Sequence, residues 1–317
     1  MTVSHKHKFL ITTVQIVVSL LAMIYVVYRI ITFNEWNSFF LRVNESILFF
    51  MLLCLIQLVL ATLNISLESR KWQLLTSILQ PCNFSDSLRQ VLWGIQMGMI
   101  TPGRVGEPIG KAALMKEGNR TQAFILSITG SILQNIVIVI AGFIAFVLVG
   151  KVFVSDNSIS DILFENTTRY GLFLLAGIVF LLCIIYLFFR IYKEATFVKR
   201  IISAIQIIKK TDLKLLLRLF VLTTVRYLIF SFQLFLMLNF FGVTNSVLYI
   251  IPVYYLIITI IPSFALADLG IRSSVALFVF GFISNDVAAI VLSIFIVWIF
   301  NLALPSLVSI SVLRPKK

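Results

Sequence analysis

Histidine is almost missing from this sequence. The two that occur, His5 and His7, sit in an N-terminal "HKHK". That excludes a histidine-centred active site and a histidine-rich zinc site. Cysteine is equally uninformative, because Cys54, Cys82 and Cys183 stand too far apart for metal-ligand spacing. No G-x-x-x-x-G-K-[ST] run occurs, so nothing points to nucleotide hydrolysis, and no cofactor is expected. Charge is scarce too. Only 12% of the 317 residues are charged, against roughly a quarter in soluble domains.

What fills the space is apolar. Hydrophobic residues make up 60% of the chain, and the mean hydropathy is +1.05. Several runs reach the roughly 20 residues that carry a helix across a bilayer. The short alternating segments of a transmembrane barrel are missing. The composition therefore implies an all-α polytopic membrane protein. The net charge is +13, from 26 Lys and Arg against 13 Asp and Glu. Those basic residues flank apolar spans, as the positive-inside rule describes. No basic segment interleaved with aromatics exists, which argues against a nucleic-acid partner.

Six strong spans are expected, at about 9–30, 46–65, 121–150, 170–190, 214–241 and 287–312. The first apolar run, Phe9 to Tyr28, is too long for a signal peptide and no small-residue cleavage site follows, so it reads as a retained span. Two weaker regions, 84–117 and 246–283, have apolar pieces on either side of a Pro/Gly break and read as broken or re-entrant helices. Basic residues near 6–8, in 66–120, in 190–218 and at Arg314, Lys316 and Lys317 place those segments and both termini inside a bacterial cytoplasmic membrane. Two surface features are expected as well. "KEATFVKRIISAIQIIKK" (193–210) carries an apolar stripe among lysines and arginines, as an interfacial helix on an anionic leaflet would. Trp36, Phe39 and Phe40 suit the outer interface.

The order of span, interfacial loop, span, broken helix and span occurs twice, over about 1–150 and 151–317. "TP" at 101–102 and "IP" at 261–262 are offset by 160 residues. Three crossings per copy would invert the second. Inverted repeats with matched broken helices point to a transporter-type site near the midplane. Chance spacing of helices explains the same pattern, and the halves share little residue identity.

The first break, "TPGRVGEP" (101–108), frees backbone groups that cannot face lipid and must line protein or a water-filled cavity. Pro108 is placed to begin a new half-helix. Arg104 stands ahead of it and Lys111 falls in its first turn, so the local field should attract an anion such as a lipid phosphate. Glu107 either caps that helix and pairs with Arg104 or Lys111, or it orients an arginine toward substrate. In the second break, Asp268 with Gly270 reads as an N-cap for a helix at 271–281. Arg272 and Arg226 are harder to explain as scaffold. An arginine at membrane depth costs about 3 kcal/mol or more, so it faces a cavity or a partner. For Arg226, in the middle of its span, the candidates are Asp268, Glu107 or a substrate phosphate. Arg218 is expected to snorkel. Gln134, Asn135, Gln233 and Asn301 read as helix–helix hydrogen bonders.

"RKWQLL" (70–75), "TPGRVGEPIGKA" (101–112) and "IPSFALADLGIR" (261–272) resemble the transmembrane region of lysylphosphatidylglycerol synthase over most of the chain. In bifunctional members of that family a similar membrane part moves aminoacylated phosphatidylglycerol between leaflets, and a soluble domain makes the lipid. Arg104, Gly106, Glu107, Lys111, Gly270 and Arg272 match the family motifs. Three departures stand out. No synthase domain is present, so aminoacylation is not expected. The third span reads "TGSILQN" where relatives often carry an acid–base pair. Ser273 stands where relatives often have Glu.

The resemblance and the residues together imply a flippase or scramblase. Its partner would be a membrane lipid, either an anionic or modified phospholipid or a polyprenyl-phosphate-linked one, with a separate lipid-modifying enzyme as a further candidate. Arg104 and Arg272 would hold phosphate, Arg226 would line the path and Glu107 would orient. Two alternatives stay open. One is a membrane-embedded transferase using Glu107 and Asp268, which archaeal glycosyltransferases with a similar membrane region suggest. The other is an accessory subunit that anchors a synthase.

Overall fold

The computed structural model describes residues 24–33, 36, 40, 44–101, 104–154, 213–243, 247–261 and 268–312, without the side chains of 146–154 and 312. Among them the elements are helical. They are α1 (Ile47–Thr76), α2 (Phe84–Ile100), α3 (Gly106–Ala113), α4 (Arg120–Val154), α5 (Leu213–Phe240), α6 (Val247–Ile260), α7 (Asp268–Phe280), α8 (Val287–Trp298) and α9 (Leu304–Val312). Four stretches, Ile47–Thr76, Glu117–Ala145, Leu213–Phe240 and Val287–Ser311, are long and apolar enough to cross a membrane. The chain is thus an all-α, multi-pass membrane protein. The expected span at 170–190, the surface helix at 193–210 and most of the first span lie outside the described residues. Only 24–30 of that first span is described, and it is helical.

Helix α1 shows what bilayer as solvent does to a helix. Its buried stripe runs Gln57, Ala61, Asn64, Glu68, Lys71, Trp72 and Leu75. Its exposed side carries Leu48, Met51, Leu55, Leu58 and Leu63. In water the polar stripe would face out. In lipid the polar groups must find partners inside the protein, so the pattern turns inside out. The helix also runs eleven residues past the expected end of the span at 65. Lys71, expected in an inner loop, is consequently helical and 2% exposed.

Both broken regions form helix pairs. Helices α2 and α3 touch through glycines spaced four apart, Gly94 and Gly98 on one and Gly106 and Gly110 on the other. A Cβ on Gly110 would lie 3.0 Å from Gly94 Cα, and one on Gly106 would lie 2.3 Å from the Met97 carbonyl oxygen. Small residues at this spacing let two backbones meet. The turn between them is tied by Thr101. Its hydroxyl donates to the Met97 carbonyl at 2.9 Å and accepts from the Gly106 N–H at 2.7 Å. This starts α3 at Gly106, two residues before the Pro108 expected to open it. Pro108 sits in the first turn instead, where a missing N–H costs nothing. Arg104 lies in the turn at φ 55, the left-handed region that disfavours residues with a Cβ.

The second pair is α6 and α7. Helix α6 presses on α4 at Gly142, where a Cβ would meet Leu256 Cβ at 2.7 Å. Helix α7 begins at Asp268 rather than 271. Asp268 is therefore in its first turn and not a cap ahead of it. The α5–α6 turn passes through Gly242 at φ 89, a conformation glycine adopts freely. Helix α8 is capped by Asp286, whose carboxylate accepts from the Ala289 N–H at 3.0 Å. It continues into α9 through a π-helical turn, Ile299–Ala303. The larger apolar core joins α5, α6, α7 and α8, centred on Leu234, Tyr254, Phe280 and Ile290. A smaller one packs Trp72, Val91, Ala123 and Leu126.

Candidate functional site

Between these two cores lies a cavity of about 750 Å³. Asn64, Glu68 and Lys71 of α1, Arg104 and Glu107 at the first break, Gln134 and Asn135 of α4 and Arg226 of α5 form its polar walls, and Arg272 of α7 faces them. Apolar and aromatic groups, including Ile132, Phe230, Ile258 and Trp298, line the rest.

The charges form a connected cluster. Glu68 sits at its centre, held by Lys111 Nζ at 2.6 Å, Lys71 Nζ at 2.7 Å and the Arg226 guanidinium. Arg226 also donates from Nε to Asn64 at 3.0 Å and from Nη1 to Gln134 at 3.3 Å. Lys111 bridges onward to Glu107 at 3.0 Å, and Arg104 holds the other oxygen of Glu107 at 2.9 Å. Lys111 stands 5.8 Å from the centre of the Trp72 ring, a cation–π contact. Across the cavity Arg272 Nε donates to Asp268 at 2.7 Å, and the Trp298 indole N–H donates to the same oxygen at 3.2 Å.

Exposure sorts these cations into two layers. The Lys71 and Lys111 side chains are 3% exposed, whereas those of Arg226, Arg272 and Arg104 are 18, 20 and 33% exposed. The two lysines are buried counterions to Glu68, Lys71 at the wall and Lys111 behind it. The arginines face the cavity.

A polar seam leaves the cluster along α1. Asn64 donates to Asn301 at 2.9 Å, and Asn301 donates to Gln233 at 3.0 Å. Gln233 and Gln57 then donate their side-chain N–H groups to each other's main-chain carbonyls, at 3.2 and 2.9 Å. Asn301 lies in the π turn. A wider turn re-aims side chains and recurs at functional sites.

Of the residues singled out from sequence, Arg104, Glu107, Arg226 and Arg272 line one cavity. Lys111 and Asp268 lie behind it as ion-pair partners. Gly106 allows the α2–α3 contact, and Gly270 lies in the first turn of α7. The expected partners of Arg226 are Asp268, Glu107 or a substrate phosphate. The structure gives it Glu68 instead, because α1 extends far enough to bring that carboxylate to α5. Gln134, Gln233 and Asn301 bond between helices as expected, Gln134 to Arg226 at the cavity wall.

The profile of the lysylphosphatidylglycerol synthase TM region matches residues 12–309, nearly the whole chain. The protein belongs to this family. No curated protein and no solved structure matches it. Within this lysylphosphatidylglycerol synthase TM-region member, Glu68 is the functional candidate that sequence reasoning missed. The signal was present. Asn64, Glu68 and Lys71 recur at four and three residues, the spacing of one helical face.

Proposed function

We propose that the protein moves an anionic phosphate-bearing lipid between the leaflets of a bacterial cytoplasmic membrane, with both termini on the cytoplasmic side. The observation that carries this reading is the convergence of Arg104, Arg226 and Arg272, from three separate elements, on one cavity within a multi-pass helical protein. Guanidinium groups bind phosphate oxygens through paired, charge-assisted hydrogen bonds. The family supports a flippase-like role. Movement would run downhill or on an ion gradient, with no cofactor, and a separate enzyme would make or use the lipid.

The protein acts as a carrier and not as a transferase on this reading. What supports that is the state of the carboxylates around the cavity among the described residues. Glu68, Glu107 and Asp268 are each engaged by a cation within 3.0 Å. A general base needs a carboxylate available to take a proton.

The test is leaflet movement of fluorescent phosphatidylglycerol in proteoliposomes, for wild type and Arg104→Ala. Movement by wild type and a loss of about tenfold or more in the variant is expected, as for removal of one charged contact. Equal rates in protein-free vesicles and wild-type proteoliposomes would sink the proposal. Reporter fusions at each terminus check the orientation, and a periplasmic signal at either end would overturn it.

A further inference from the structure

The charge inventory around the cavity is unbalanced. Among the described residues, five cations (Lys71, Arg104, Lys111, Arg226 and Arg272) meet three carboxylates (Glu68, Glu107 and Asp268). Two positive charges are left over among the described residues. They are not spread evenly, since the lysines are sealed in and the more exposed groups are arginines. In each arginine some nitrogens make no hydrogen bond among the described residues: Nε and Nη1 of Arg104, Nη2 of Arg226, and Nη1 and Nη2 of Arg272. Uncompensated charge at membrane depth is costly. A ligand that brings two negative charges and several acceptor oxygens would remove that cost.

The same inventory is hostile to an ammonium group. Glu68 is shared by three cations, Glu107 by two, and Asp268 is bound by Arg272 and the Trp298 indole. An incoming amine would find each of these carboxylates already ion-paired.

We propose that the cavity selects a lipid whose headgroup is a phosphate monoester, a dianion with three terminal oxygens and no ammonium. This deepens the lipid-carrier reading and rests on it for the direction of use, though binding selectivity can be tested alone. A monoester carries a charge of about −1.5 to −2 near neutral pH, with a second pKa of about 6. A diester headgroup carries one charge and offers two free oxygens. The apolar walls at Ile132, Phe230 and Ile258 supply the surface an acyl or prenyl chain would cover, which free phosphate lacks.

The experiment titrates the full chain in detergent with dioleoyl phosphatidate, phosphatidylglycerol, phosphatidylethanolamine, lysylphosphatidylglycerol and inorganic phosphate. Phosphatidate is expected to bind about tenfold more tightly than phosphatidylglycerol, and the two ammonium lipids more weakly still. Its advantage is expected to shrink at about pH 5, where the monoester regains its second proton. Asn135→Asp adds a carboxylate at an exposed position of the cavity wall. It is expected to weaken phosphatidate and improve lysylphosphatidylglycerol by about tenfold each, the scale of one charged contact. Equal binding of phosphatidate and phosphatidylglycerol, or tight binding of either ammonium lipid, overturns the selectivity while leaving lipid transport standing. Inorganic phosphate binding as tightly as phosphatidate overturns the lipid source. Selective phosphatidate binding with no leaflet movement of any lipid keeps this inference and removes the carrier reading.

Discussion

Glu68 and Arg104 sit in one ion-pair cluster yet are opposites in kind. Glu68 is buried and shared by Lys71, Lys111 and Arg226. Removing one partner of a buried pair leaves uncompensated charge and costs about 3–5 kcal/mol. Glu68→Gln is therefore expected to lower the folded yield and thermal stability sharply, measured by fluorescence-detected size exclusion after heating. A variant that retains wild-type stability would show that the cluster is not needed for folding. Arg104 pairs with Glu107 at 33% exposure, a setting in which a pair contributes about 1 kcal/mol or less. It also holds φ 55, a strain of about 1–3 kcal/mol in a residue with a side chain. Arg104→Gly removes the charge and relieves that backbone together. Stability is expected to hold or rise while lipid movement falls. Such strain is tolerated where function needs the side chain, and a fall in both readouts would make Arg104 a scaffold residue.

Elements here meet through glycines and amides. Gly106 has no room for a methyl group, since a Cβ would sit 2.5 Å from the Thr101 hydroxyl and closer still to the Met97 carbonyl. Gly106→Ala is expected to separate α2 from α3 and to displace both Arg104 and Glu107 from the cavity. Loss of lipid binding together with new protease sensitivity near residue 101 would report it; unchanged binding would place the site elsewhere. Asn301 bridges α1 and α5 from the π turn. Asn301→Leu would leave Asn64 and Gln233 short of a partner, and interhelical bonds of this type are worth about 0.6–2 kcal/mol each. The expected result is a lower melting temperature with the cavity arginines still competent to bind phosphatidate.

For the whole molecule, the inside-out distribution is the governing fact. Leu58 of α1 is 45% exposed while Gln57 beside it is 0% exposed. In a water-soluble protein, charge at Leu58 would be harmless. Here Leu58→Arg is expected to cost about 3 kcal/mol of insertion free energy, read as a lower membrane-integrated fraction. No loss would mean that this face meets water or protein and not lipid. The element order long helix, broken pair, long helix occurs once in α1 to α4 and again in α5 to α9. Both broken pairs contribute an arginine to the same cavity.

By itself the sequence determined the class, the span positions of α4, α5 and α8–α9, both breaks and the three arginines that line the cavity. Those follow from local physics: hydropathy is additive along a run, a cluster of prolines and glycines such as Pro102, Gly103, Gly106 and Pro108 marks a break, and a charge inside a span is conspicuous. The four-residue spacings of Gly94 with Gly98 and Gly106 with Gly110 were equally local and could have predicted the α2–α3 contact. Tertiary structure alone decided which carboxylate answers Arg226 and which cations turn toward the cavity. Glu68 and Arg226 are 158 residues apart, and their pairing depends on α1 continuing past its apolar run. A charged last segment of a helix reads as loop until its partners are known, because only burial against Lys111 and Arg226 makes it favourable to keep that segment inside.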